Sequence, residues 1–500
     1  MSKERNPVLN RMGYSCGDIC GGGGFLICNL LIFNFFVIVQ GLSVVQASTI
    51  IFICKLWDGI TDPLMGLISD HTRSRFGRRR IYFLVGAPLM MVSFALLWNS
   101  FGIQGGNPLM VYHLLTYMLF DTVFTMVMVP YNAILSDMTG DYDERTRYTS
   151  MRMVFSATAA LICAVLPSIL INFLGGAQNG PAQKTGYAIM GIVFGGFFLL
   201  VWLLTFFGTW ENPRFAMEKP KIGIRDWLDM FRNKTYRSYL GIFIFVQVSI
   251  DLMLALFVFF VDIVLMKYQY YALVMGILLV FQILYMALAG KIAGKKGKRF
   301  PLFVAMPVWA VTCIVFFFFT QNTPLWLLCM MSVFVAIGPA AGNICTWSML
   351  SDLYDVGELI STKRLEGLYS GFTTFIYKCS SGLAILIIGI GLQLAGFNQD
   401  EYNYLKTLGT VDYSAYNSSP VVGAIRGMIV FVPLVFQVLV VFFAMRYKLN
   451  AGRFNVVKDA IDRFKAQGIG AVFSDNEKAD LETVTGHKIE KLWGRLHKTN

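Results

Sequence analysis

Two carboxylates, Asp58 and Asp62, stand inside the run Lys55-Leu-Trp-Asp-Gly-Ile-Thr-Asp-Pro-Leu-Met-Gly66, which is apolar enough to cross a membrane. At i and i+4 they share one helical face, with Thr61 beside them and Lys55 a turn away. An ionised side chain at mid-bilayer costs about 2.5–3.5 kcal/mol on insertion scales, so such residues usually face an interior cavity and work there. Carboxylates beside a hydroxyl are hard oxygen ligands suited to Na⁺ or Li⁺. The same pair serves equally as a proton acceptor. The residues leave that choice open. A purely structural reading pairs Lys55 with Asp58 to fix helix packing; the expectation carried forward is a site for a small cation or a proton.

The elements that must hold these residues are membrane spans. Of 500 residues, 56% are hydrophobic and 14% charged; soluble domains carry roughly 25% charged residues. Apolar runs near the roughly 20 residues needed to cross hydrocarbon fall at 22–41, 47–69, 81–101, 108–135, 152–175, 186–210, 238–265, 271–290, 301–320, 324–350, 367–395 and 421–445. The expected fold is an all-α membrane protein of twelve transmembrane helices in two six-helix halves. Its even number puts both termini on one side. The N-terminus and the loops on its side carry 24 Lys and Arg, the opposite loops 4, so the termini are expected in the cytoplasm of a multi-pass plasma (inner) membrane protein. This placement, without any interleaving of basic and aromatic residues, also turns the net charge of +12 away from nucleic acid. The nine cysteines lie in or at the edges of spans and the four histidines are scattered, which implies neither a disulfide framework nor a metal centre. The first apolar stretch lacks an A-x-A-like cleavage site and reads as a retained helix.

The halves echo each other. Gly66-Leu-Ile-Ser-Asp-His-Thr-Arg-Ser-Arg-Phe-Gly-Arg-Arg-Arg80 follows span two, and Gly290-Lys-Ile-Ala-Gly-Lys-Lys-Gly-Lys-Arg299 follows span eight. A basic, glycine-containing loop at the same place in each half fits an internal repeat. The expected division is 1–210, a linker 211–237, a second half 238–446 and a cytoplasmic tail 447–500. In the tail, Val457, Ile461 and Phe464 share one helical face, suited to lying against the membrane or the bundle ends.

The run W-D-G-I-T-D-P-L-M-G followed by S-D-H-T-R-S-R-F-G-R-R-R resembles the second helix and next loop of the glycoside–pentoside–hexuronide:cation symporters, the melibiose-permease-like family. Further matches are Tyr14-Ser-Cys-Gly-Asp18, Val129-Pro-Tyr-Asn-Ala133, Asp141-Tyr-Asp-Glu-Arg-Thr-Arg147 before Arg152, Ser351-Asp-Leu-Tyr-Asp-Val-Gly-Glu358 and Tyr377-Lys378. The resemblance implies the major facilitator fold, with a site near the midplane between repeats. It implies a cation site at Asp58, Thr61, Asp62 and Thr125, with Thr61 where melibiose permease has Asn. It implies no cofactor beyond the coupling cation, Na⁺ (or Li⁺ or H⁺).

On the substrate side the two sugar-gripping aspartates of melibiose permease correspond to Gly22 and Met128. Asn132, Arg152, Lys378 and Asp251 remain as polar candidates, with Asp121 a further intramembrane acid. Loss of both acids argues against a melibiose-type galactoside. Arg152 and Lys378 suit an anionic substrate such as a hexuronide, unless either pairs with Asp58 or Asp62. Gly21–Gly24 reads first as close helix packing and second as a pocket wall. Trp347, Tyr131, Tyr369 and Phe372 read first as packing and second as sugar-stacking faces. Asp70 with Arg73, and Asp352 and Asp355 with Arg364, stand at cytoplasmic helix ends as candidate gating salt bridges between the halves. The expected function is symport of a sugar or glycoside with Na⁺ or H⁺ by a monomer in the lipid bilayer. The alternative cargo is an amphipathic lipid such as a lysophospholipid. An enzyme is excluded by the lack of any nucleophile–base or metal constellation, and ATP drive by the lack of a phosphate-binding loop.

Overall fold

The computed structural model describes residues 7–103, 105–138, 142–176, 180–211, 229–363, 365–408, 412–468 and 471–493. All regular elements among the described residues are helical, and twelve are long and apolar enough to cross a membrane. They are α1 (Val8–Val39), α2 (Val44–Gly66), α3 (Arg80–Leu97), α4 (Asn107–Leu135), α5 (Met151–Gly175), α6 (Pro181–Gly208), α7 (Lys234–Val264), α8 (Tyr268–Lys296), α9 (Phe300–Phe317), α10 (Leu325–Ser361), α11 (Leu368–Leu394) and α12 (Pro420–Arg446). Helices satisfy their own backbone groups, which hydrocarbon cannot do for them.

The first span departs from its expected start at residue 22. The helix already begins at Pro7. Asp18, polar in the sequence, is buried because Arg152 of α5 reaches it at 2.9 Å. Tyr14 is likewise carried inside by stacking on Tyr131, ring centroids 5.0 Å apart. Partnered polar groups let a helix continue inward where a hydropathy window ends it.

Helices α1–α6 and α7–α12 each gather into a bundle, and the bundles meet along α2 against α11, α1 against α7 and α5 against α8. The α2–α11 seam is close because glycine faces it. A Cβ on Gly389 would stand 2.1 Å from the Ser48 hydroxyl, and one on Gly382 3.1 Å from Lys55 Cβ. Small residues at such contacts let transmembrane backbones approach. At the end away from the termini, α1 and α7 both finish in a π-helical turn, Phe35–Val39 and Phe260–Val264. Just before these, Phe33 meets Phe259, with centroids 5.3 Å apart. The same irregularity at the same place in each half matches the repeat that the paired basic loops suggest. Two short helices, Gln399–Leu408 and Tyr413–Asn417, cover this end; Tyr402 and Lys406 bond the buried Asp262 carboxylate of α7.

At the opposite end the tail forms α13 (Ala451–Gln467) and α14 (Asp475–Thr485). Val457, Ile461 and Phe464 do share a buried face, and it lies against the ends of the second bundle. Lys465 pairs with Glu358 of α10 at 2.7 Å, and the Trp493 N–H donates to the Leu359 carbonyl at 2.9 Å. Outside the spans, the Glu477 carboxyl is held below its ordinary range by the Ser474 backbone N–H and by Arg463.

Candidate cation and substrate site

Asp58 and Asp62 project from α2 toward α4 and α11. The Thr125 hydroxyl of α4 lies 2.9 Å from Asp58 Oδ1 and 2.9 Å from Asp62 Oδ1, and donates to one of them at a time. From α11, the Lys378 ammonium reaches Asp58 Oδ2 at 2.7 Å and Asp62 Oδ2 at 2.5 Å. Two carboxylates of the first bundle thus clamp a positive charge supplied by the second. Pro63 follows Asp62 inside the helix; lacking an N–H, it cannot supply the i→i−4 donor to the Gly59 carbonyl. Thr61 is turned elsewhere, its hydroxyl donating to the Asp58 backbone carbonyl at 3.3 Å.

Lys55 makes no ion pair with Asp58. Its ammonium lies 4.4 Å from the centre of the Phe25 ring, and it lines a cavity of about 10 Å³ between the bundles together with Asn29, Tyr117 and Asp251. That is about the room one water needs. Asp251 of α7 is buried and accepts from Tyr377 at 2.7 Å and from Ser381 at 2.5 Å. On its other side opens a cavity of about 240 Å³, walled by α1, α7, α8, α10 and α11. Most of that wall is apolar, Phe257 and Met275 among it; the polar exceptions are Asn29, Asp251, Gln282, Asn343 and Tyr377.

The remaining expected substrate residues gather elsewhere. The Arg152 guanidinium bonds Asp18 at 2.9 Å and Asn132 at 2.7 Å and lies over the Tyr131 ring. Gly22 faces α5, where a Cβ would stand 2.4 Å from the Ser156 hydroxyl, and the Met128 methyl fills the space beside Gly21. Gly21–Gly24 lies in the π-helical segment Cys20–Gly24 and is a close helix contact. The four aromatics pack on other rings: Tyr131 on Tyr14, Tyr369 on Tyr236, Phe372 on Phe231 and Trp347 on Phe243. Among the candidate gating residues, Asp352 bonds Lys298 of its own half at 2.7 Å, Asp355 is half-buried and Arg73 is exposed. The side chains of Asp70 and Arg364 lie outside the described residues.

Sequence reasoning missed Asp18 as the anchor of Arg152, and it missed the amides Asn29, Gln282 and Asn343. For the three amides the signal was present: each is a polar side chain within an apolar span. Their convergence on one cavity was not, because it depends on the rotation of three helices.

Known proteins with similar sequences are membrane carriers. The inner membrane symporter YicJ of Escherichia coli is 26% identical over 404 residues, covering 80% of this chain and 86% of that protein. The glucuronide carrier protein homolog of Escherichia coli is 24% identical, covering 91% of this chain and 95% of that protein. The sodium-dependent lysophosphatidylcholine symporter 1 of Gallus gallus is 24% identical, covering 79% and 80%. Among solved structures, a bacterial homolog of the human lysosomal transporter Spinster, inward-facing and unoccupied, superposes with a TM-score of 0.61 at 13% identity, covering 91% of this chain and 97% of that one; the shared feature is the major facilitator fold. The family described as MFS/sugar transport protein matches residues 13–451, and the chain belongs to it.

Proposed function

We propose that the chain is a symporter that moves a sugar or glycoside of the pentoside or hexuronide class together with Na⁺ or H⁺ by alternating access. One observation carries the reading: a positive charge sits between Asp58 and Asp62, ringed by the Thr125 hydroxyl. The Lys378 ammonium occupies the place where a coupling cation would be held. Cation entry then displaces Lys378 and cuts a tie between the halves, which gives the two sites a shared coupling free energy. The substrate lies in the cavity beside Asp251, where the amides of Asn29, Gln282 and Asn343 offer both donors and acceptors to hydroxyls. In this arrangement Arg152 is committed to Asp18, so Lys378, once released by the cation, is the charge available to a substrate carboxylate. The termini face the cytoplasm, as the 24-to-4 split of basic loop residues indicates, and a monomer suffices.

An amphipathic lipid is the second reading, favoured by the largely apolar wall of the cavity and by the packing of Gly22 and Met128 where family members carry acids. The test is uptake into proteoliposomes loaded with K⁺ and placed in Na⁺ or at lowered pH, screened over pentosides, hexuronides and lysophospholipids. Wild-type protein is expected to accumulate a sugar-class compound, with Asp58→Cys and Asp62→Cys retaining binding but losing accumulation. Uphill uptake at the wild-type rate by both variants would remove the carboxylates from coupling, and accumulation of a lysophospholipid alone would replace the cargo.

A further inference from the structure

We propose that Asp121 of α4 is a proton-binding site separate from the Asp58–Asp62 pair, so that the chain carries a proton in addition to its coupling cation. This rests on the cation reading of Asp58 and Asp62 given above.

Asp121 stands one helical turn before Thr125, on the same face of α4. It is 5% exposed, and among the described residues its carboxyl group accepts no hydrogen bond and makes no ion pair. The titratable and charged groups facing it are Cys28 of α1, Cys54, Lys55, Asp58 and Asp62 of α2, Tyr117 of α4 and Lys378 of α11.

The charge balance of this region points to the proton. Within electrostatic reach of one another around Lys55 stand four buried or half-buried carboxyl groups, Asp58, Asp62, Asp121 and Asp251, against two ammonium groups, Lys55 and Lys378. One coupling cation at Asp58 and Asp62 still leaves one negative charge without a counter-ion. A lone charge in hydrocarbon is removed by protonation before it is tolerated. Three of the four carboxyl groups are dressed as anions: Asp58 and Asp62 by Thr125 and Lys378, Asp251 by the hydroxyls of Tyr377 and Ser381. Asp121 has no donor, and the nearby Lys55 ammonium is turned onto Phe25. It is therefore the carboxyl group that holds the proton. Chemically the step is the making and breaking of one O–H bond, with water on either side of the membrane as proton source and sink.

Infrared spectroscopy of the purified full-length protein reads this without a substrate. A protonated buried carboxyl group gives a C=O band outside the carboxylate region that moves on H/D exchange. We expect that band in the wild type at neutral pH, its loss in Asp121→Asn, and its return at an altered position in Asp121→Glu. Asparagine mimics the protonated acid in shape, and a cooperative thermal unfolding transition like that of the wild type serves as the check that Asp121→Asn is folded. In proteoliposomes on a supported membrane, a pH jump without substrate should evoke a transient current that Asp121→Asn loses. No such band in the wild type, or the same band in Asp121→Asn, overturns the proposal. Uphill uptake at the wild-type rate by both Asp58→Cys and Asp62→Cys would instead remove the cation reading, with the infrared result standing apart from it.

Discussion

Replacing Lys378 by alanine removes the tether that the cation must displace. In the wild type the ammonium lies 2.7 Å from Asp58 and 2.5 Å from Asp62, with side-chain exposures of 5% and 31% for the two acids. Removing one partner of a fully buried pair costs about 3–5 kcal/mol; partial access of water to Asp62 lowers this to roughly 1.5–3 kcal/mol, since exposed pairs contribute little. That energy reappears as binding when a metal cation refills the clamp. At about 1.4 kcal/mol per decade, Na⁺ should bind Lys378→Ala about 10- to 100-fold more tightly than wild type. The assay is calorimetric titration of NaCl into protein held in choline chloride at constant ionic strength, with thermal unfolding alongside. The variant should melt below wild type in choline and recover in NaCl. Unchanged or weaker Na⁺ binding by Lys378→Ala would refute the argument, for it would mean that the ammonium and the metal do not compete for the same oxygens.

Arg152→Ala should lower stability by about 2–4 kcal/mol through the stranded Asp18, with Asp18→Asn restoring most of it in the double variant; additive losses in denaturant unfolding would contradict the pairing. Gly389→Val puts a branched side chain against Ser48 across the seam, and about 1–3 kcal/mol of overpacking strain is expected, seen as a lowered Tm and as increased thiol labelling of Phe33→Cys from the end covered by the helices Gln399–Leu408 and Tyr413–Asn417. Tyr404→Cys should react with an impermeant thiol reagent applied outside cells and Asp475→Cys should not, and the reverse pattern would invert the topology. Because Glu477 ionises more easily when the tail is folded, its contribution is present above the ordinary carboxylate range and is lost as pH falls through the lowered value. Proteolysis of the tail should therefore accelerate in acid for wild type and show less pH dependence in Glu477→Gln.

The twelve spans were legible because each is a long apolar run between charged loops, and a hydrocarbon slab admits little else. Asp58 and Asp62 were legible because two acids one helical turn apart have no place in such a run without work to do. Lys378 was visible as an intramembrane cation, yet its partner was not: 316 positions separate it from Asp62, and only the meeting of α2 with α11 joins them. Arg152 shows the same limit, since Asp18 sits in a stretch whose polarity hid its helix. Lys55 went the other way. Sequence proximity suggested Asp58, but three residues of helix turn its ammonium onto Phe25. The candidate substrate cavity was least legible, because its polar groups come from α1, α7, α8, α10 and α11, one apiece.

The glycine-faced contact of α2 with α11 has a mechanical meaning. A smooth strip between two bodies that rock against each other is a bearing, and its friction depends on how few side chains must climb over one another during the stroke. Gly382 and Gly389 present none. Under the proposed alternating access, part of the barrier to the stroke is therefore set where Gly389 meets Ser48, on the same seam that Lys378 crosses to Asp58 and Asp62. Exchanging only the residues at positions 48 and 389 between two relatives should transfer turnover rate while each keeps its own preference for substrate.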